Sequence, residues 1–213
     1  MRREIMLPMI LTFLLSVLFV LFLFNIVAIS FTKLGLTPVQ TFLIFLGIIV
    51  GGYINIPVSR RKIVVSEPRR LPIPFFYYPP RVAQQVVFVN VGGAVIPVAL
   101  SLYLLPTAPL MPTFIATALI TLLSKALARP VPNVGIALPP FIPPIAAALF
   151  ALLLSEENPA AVAYISGVLG TLIGADLLNF NRIREIGSLA VSIGGAGVFD
   201  GIFLVGIIAA LLT

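Results

Sequence analysis

The sequence predicts an all-α, polytopic membrane protein of about seven transmembrane helices, and three observations carry that prediction. Of the 213 residues, 60% are apolar and 9% charged, and the mean hydropathy is +1.18, which leaves too little polar surface to coat a soluble domain. Apolar runs near the length of a membrane-crossing helix, about 20 residues, recur at residues 5–31, 37–58, 86–105, 112–128, 136–154, 160–180 and 189–212. Lys and Arg then alternate between the connecting segments as the positive-inside rule requires.

The first run follows Arg2 and Arg3 and is far longer than the apolar region of a cleaved signal peptide, so it is expected to remain as a span. The second ends at "SRRKIVVSEPRRLPIPFFYYPPR", whose basic residues and prolines predict a non-helical cytoplasmic loop over residues 59–85. The aromatics of that loop, Phe75, Phe76, Tyr77 and Tyr78, are expected at the membrane interface. Short connections separate the remaining runs. With the N-terminus in the cytoplasm, Arg2, Arg3, Arg60, Arg61, Lys62, Arg69, Arg70, Arg81, Lys125, Arg129, Arg182 and Arg184 fall inside, and only Lys33 falls outside. The outer connection before the sixth run instead carries Glu156 and Glu157, and Thr213 ends outside. Adding or losing one run would scramble this asymmetry, so the chain reads as a single multi-pass domain of the cell membrane.

The chain contains no Cys and no His. Disulfides, thiolate nucleophiles, iron–sulfur clusters, His-based metal sites and Ser-His triads are thereby excluded, and no cofactor is expected. Carboxylates, Lys and hydroxyls remain for bond-breaking chemistry. A Ser-Lys dyad would have to use Ser124 and Lys125, whose side chains do not face each other on a helix. The net charge of +6 is assigned to loops facing anionic lipid rather than to nucleic acid.

Once Glu4, Glu67, Glu156, Glu157 and Glu185 are placed in loops, Asp176 and Asp200 are the acids left within spans. A carboxylate at membrane depth costs at least about 2.5 kcal/mol and normally faces a cavity or a partner. The two lie on consecutive runs joined by the short turn "NRIREIG", so the topology makes their spans neighbours. Asp200 sits in "SIGGAGVFDG". If Gly194, Gly195 and Gly197 unwind that start, the helix resumes near Gly197 and Asp200 approaches the level of Asp176. Two other inward starts repeat the device, "NVGGAVIP" with Asn90, Gly92 and Gly93, and "NVGIALPP" with Asn133, Leu138 and Pro139. Together they suggest a polar vestibule open to the cytoplasm. Close helix packing is the plainer account of the glycines, as expected for Gly167, Gly170 and Gly174 on the sixth run.

Two facing carboxylates in a low-dielectric site do not both ionise readily, so one stays protonated while the other is charged. That arrangement suits hydrolysis: the ionised acid takes a proton from the attacking water, and the protonated one polarises the peptide carbonyl and later protonates the leaving amine. Unwound Gly-rich backbone could also pair with an extended substrate strand. The alternatives are a proton- or cation-coupled transporter using the same acids beside broken helices, and a non-catalytic scaffold in which they make interhelical hydrogen bonds.

"GTLIGADLLN" followed by "SIGGAGVFDGIF", together with "NVGGAVIP" and "NVGIALPP", resembles the signature of an uncharacterised prokaryotic membrane family known as domain of unknown function 1614. That resemblance implies no activity. The acids on consecutive spans also resemble those of the presenilin and signal peptide peptidase group of intramembrane aspartyl proteases. This second resemblance implies catalytic roles for Asp176 and Asp200, and transmembrane peptides as partners besides membrane lipids. It also casts Ala137-Leu138-Pro139 as the nearest match to that group's Pro-Ala-Leu element, here ahead of both acids. Two residues separate Gly197 from Asp200, where the group's motif has Asp directly after Gly.

Overall fold

A computed structural model of the chain describes residues 2–65, 81–131, 135–185, 189–195 and 201–213. It is mostly helical. Helix α1 (Arg2–Lys33) has the length and apolar character to cross a membrane over Pro8–Lys33, as do α4 (Leu110–Leu127) and the continuous helical stretch Pro159–Leu177. The other helices are shorter: α2 (Pro38–Gly52), α3 (Ile96–Leu104) within the helical stretch Val91–Thr107, α5 (Ile142–Leu154), α7 (Phe180–Glu185) and α8 (Gly201–Leu212).

Among the described residues, five strands correct the all-α expectation. β1 (Asn55–Val65) and β2 (Arg81–Asn90) pair antiparallel, and β5 (Ala190–Ile193) adds in parallel to β2, giving the order β1-β2-β5. A small hairpin joins β3 (Arg129–Val131) to β4 (Gly135–Ala137). Runs two, three, five and seven are expected as membrane-spanning helices, with Gly-rich starts on the last three, but residues 55–58, 86–90, 136–137 and 190–193 are strand. Residues 59–65 and 81–85 of the expected loop likewise lie in the antiparallel pair β1-β2. The physical reason is local. Val86, Val87, Phe88 and Val89 are β-branched or aromatic residues that fit a pleated surface, and Pro57, Pro130 and Pro139 deny a helix its hydrogen bonds.

Chain reversals explain how the helices assemble. After α1, Gly35 takes φ +76 and Leu36 N–H reaches back to the Phe31 carbonyl at 3.0 Å, the left-handed closure that glycine permits without strain. Thr37 and Gln40 then form a reciprocal capping box with Pro38 in the first turn of α2. At the same end of the bundle, Ser30 Oγ donates to the Ile207 carbonyl at 2.9 Å, and Lys33 Nζ donates to that of Leu211 at 2.7 Å. Asn158, which caps α6 (Pro159–Thr171), ties it to the Thr107 carbonyl at 3.0 Å.

Helix α6 is the centre of the bundle, buried on nearly every side by α3, α4, α5 and α8. Its small residues allow this. A Cβ on Gly167 would stand 2.8 Å from Val205 Cγ1 on α8, and one on Gly170 would stand 2.7 Å from Ile120 Cβ on α4. Gly174, just beyond α6, packs against Thr121 and Ser124 of α4. The expected role of these three glycines in close helix packing is what the contacts describe.

Candidate functional site

The site forms where helices give way to the sheet. The helix α6 continues into a π-helical turn, Leu172–Leu177, in which Leu178 N–H reaches the Ile173 carbonyl at 2.9 Å, five residues back. Asp176 lies in this turn and is half-buried. A second π-helical turn, Val91–Val95, links β2 to α3. Such one-turn widenings are uncommon and are frequent at functional sites.

Both π turns meet the chain that leaves β5. Gly194 and Gly195 have φ values of +80 and +76, a left-handed pair that ends the strand sharply. Gly194 N–H donates to Asp176 Oδ2 at 2.8 Å. On its other side Gly194 presses on the first turn of the α3 segment, where an added Cβ would lie 2.6 Å from Ala94 Cβ and 2.9 Å from the Gly93 carbonyl carbon. Gly92 is wedged in turn against Ile48 and Gly52 at the end of α2. The glycines thus let α2, the α3 segment and the β5 turn stack at close range, and the stack delivers one amide to one carboxylate.

A polar chain fastens the stack. Asn90 is fully buried. Its Oδ1 accepts the Gly93 N–H at 2.7 Å, and its Nδ2 donates to the Gly52 carbonyl at 2.8 Å and to Asn55 Oδ1 at 3.2 Å. Ser192 Oγ lies 2.9 Å from the same Asn55 oxygen and 2.6 Å from the Gly195 carbonyl. Beyond Asp176, buried Asn179 donates through Nδ2 to the carbonyls of Gly174 at 3.0 Å and Ala175 at 3.2 Å, closing the end of the π turn. Ser124 Oγ, Thr171 Oγ1 and Asn179 Oδ1 are buried around this turn without a hydrogen-bond partner. Among the described residues, no group of three or more acidic, His or Cys side chains could hold a metal ion.

The structure brings together Asp176, Gly194, Gly195, Asn90, Gly92 and Gly93 of the residues singled out in the sequence. Leu138 is half-buried and Pro139 exposed in the connection between β4 and α5, outside the hydrogen-bonded set around Asp176. Asn133, Gly197 and Asp200 lie outside the described residues. Sequence reasoning missed Asn55, Asn179 and Ser192. Each is a polar residue within a few positions of a glycine pair or of Asp176, and that proximity was the available signal.

No curated protein and no solved structure matches the chain. Residues 49–212, which include Asp176, Asn90 and the glycines around them, match the family described as protein of unknown function (DUF1614), and the chain belongs to that family.

Proposed function

We propose that the chain is an intramembrane aspartyl hydrolase in which Asp176 and Asp200 cleave a peptide bond of a membrane segment. The observation that supports this most is the hydrogen bond from Gly194 to Asp176, because it anchors the start of the segment that leads to Asp200. The chain is read as a seven-span, multi-pass protein of the cell membrane with its N-terminus in the cytoplasm and Thr213 outside. The site then faces the cytoplasm.

The chemistry follows from two acids and a strand. Among the described residues β5 lies at one edge of its sheet and ends at Ile193, just before Gly194. An extended substrate segment pairing along that edge would present its scissile carbonyl near the acids. Water adds to the carbonyl carbon as the ionised acid takes its proton, and the protonated acid donates to the amine as the C–N bond breaks. The glycines add no bulk beside the substrate.

Ion-coupled transport is the competing proposal, favoured by the unpartnered buried oxygens of Ser124, Thr171 and Asn179 around a π-broken helix that carries an acid. One experiment separates the two. Purified protein in nanodiscs is incubated with a panel of labelled transmembrane peptides, beside D176N and D200N. Acid–base catalysis contributes about 100-fold or more, so each variant is expected to lose at least that much cleavage. Cleavage that survives both substitutions overturns the proposal. Absence of cleavage, with Asp200-dependent proton movement in liposomes, would support transport instead.

A further inference from the structure

We infer that Ser192 is a positioning residue that sets the Asp176 carboxylate through a single contested proton. Its Oγ lies 2.6 Å from the Gly195 carbonyl oxygen and 2.9 Å from Asn55 Oδ1, and a hydroxyl has one hydrogen to donate. The orientation of Asn55 is fixed by its neighbour. Asn90 accepts the Gly93 N–H on Oδ1, so its Nδ2 faces the Gly52 carbonyl and Asn55. The Asn55 atom turned toward both Asn90 and Ser192 is therefore an acceptor. Two acceptors from two different elements compete for the Ser192 proton.

Each choice has a different consequence for Asp176. Donated to Gly195, the proton closes the turn from Ser192 to Gly195 and holds the Gly194 N–H on Asp176 Oδ2 at 2.8 Å. Donated to Asn55, it ties β5 to the start of β1 and leaves the Gly195 carbonyl facing a hydroxyl lone pair at 2.6 Å. That repulsion opens the turn and withdraws the amide. Ser192 thus acts as a latch, and Asn55 pulls against it. The inference rests on the proposed function only for the use made of Asp176; the competition for the proton stands without it.

The latch predicts opposite effects from its two sides, which general loosening of the fold does not. Labelling with carbonyl-13C isoleucine and 15N glycine selects the three Ile-Gly pairs of the chain, at Ile173, Ile186 and Ile193, so exchange of the Gly194 amide can be followed by NMR in nanodiscs. A hydrogen bond is worth about 1 kcal/mol net, a factor of about five. S192A is expected to speed Gly194 exchange by about fivefold, and N55A, which removes the competing acceptor, to slow it by a similar factor. S192T keeps the hydroxyl and is expected to stay within about twofold of the parent rate. The Gly174 amide reports the integrity of the fold and should not move. Shifts of Gly194 in the same direction for S192A and N55A, or no shift in either, overturn the latch. If N55A does not fold, equal rates in S192A and S192T overturn it. Opposite shifts in a protein that cleaves no peptide leave the latch standing and remove the hydrolase; acid-dependent cleavage without opposite shifts removes the latch alone.

Discussion

Gly194→Ala tests whether the stacked backbone holds the amide against Asp176. Gly194 has φ +80, where an L-residue costs about 1–2 kcal/mol. Its Cβ would also stand 2.6 Å from Ala94 Cβ, 2.8 Å from Ala94 N and 2.9 Å from the Gly93 carbonyl carbon. Two of these atoms are backbone and cannot swing aside, so overpacking adds about 1–3 kcal/mol. The combined cost is then about 2–5 kcal/mol. Gly35 provides the control, because it has φ +76 and nothing within 4 Å of an added Cβ. Gly35→Ala therefore carries the backbone cost alone. Reversible unfolding in mixed micelles by SDS titration should show Gly194→Ala losing about 1–3 kcal/mol more than Gly35→Ala. Equal losses would refute the close approach of the β5 turn to the α3 segment, and with it the placement of the Gly194 amide on Asp176.

Two further outcomes are expected. Gly170→Ala should destabilise the bundle by about 1–3 kcal/mol through its clash with Ile120; Ile120→Ala in the same chain should recover part of that loss, and a double-mutant cycle with no coupling would contradict the α4–α6 contact. Because the chain has no Cys, single cysteines report sidedness cleanly: impermeant maleimide applied to intact cells should label a Cys at position 157 and spare one at position 61, and the reverse pattern would overturn the proposed orientation.

What the sequence made legible was whatever a residue declares by itself. Hydropathy and charge are local quantities, and they placed the apolar runs and isolated Asp176 as an acid without a loop to explain it. Where each helix begins is not local. Val86 becomes strand because Arg60 and Ala190 stand on either side of it, and those partners come from 26 residues before and 104 residues after it in the chain. Hydropathy cannot tell such an apolar strand from the start of a helix. The alternation along "RVAQQVVFVN" is in burial, with Gln85 and Val87 buried and Gln84 exposed, while the residue types themselves do not alternate.

The glycines raise a sharper point, because the sequence set packing and an unwound site against each other as alternative explanations. The contacts make them one arrangement. Gly92 lets the α3 segment lie directly on the end of α2, and Gly194, in a left-handed conformation open to few other residues, lies directly on Ala94. Side chains at these positions would clash with neighbouring backbone and force the three segments apart. With the β5 turn so displaced, its amide would leave the 2.8 Å contact with Asp176 Oδ2, since amide–oxygen hydrogen bonds span about 2.7–3.2 Å and are lost by about 3.6 Å. Close packing is therefore the means by which an unwound turn reaches the acid, and a substitution that relaxes the packing should release the carboxylate as well.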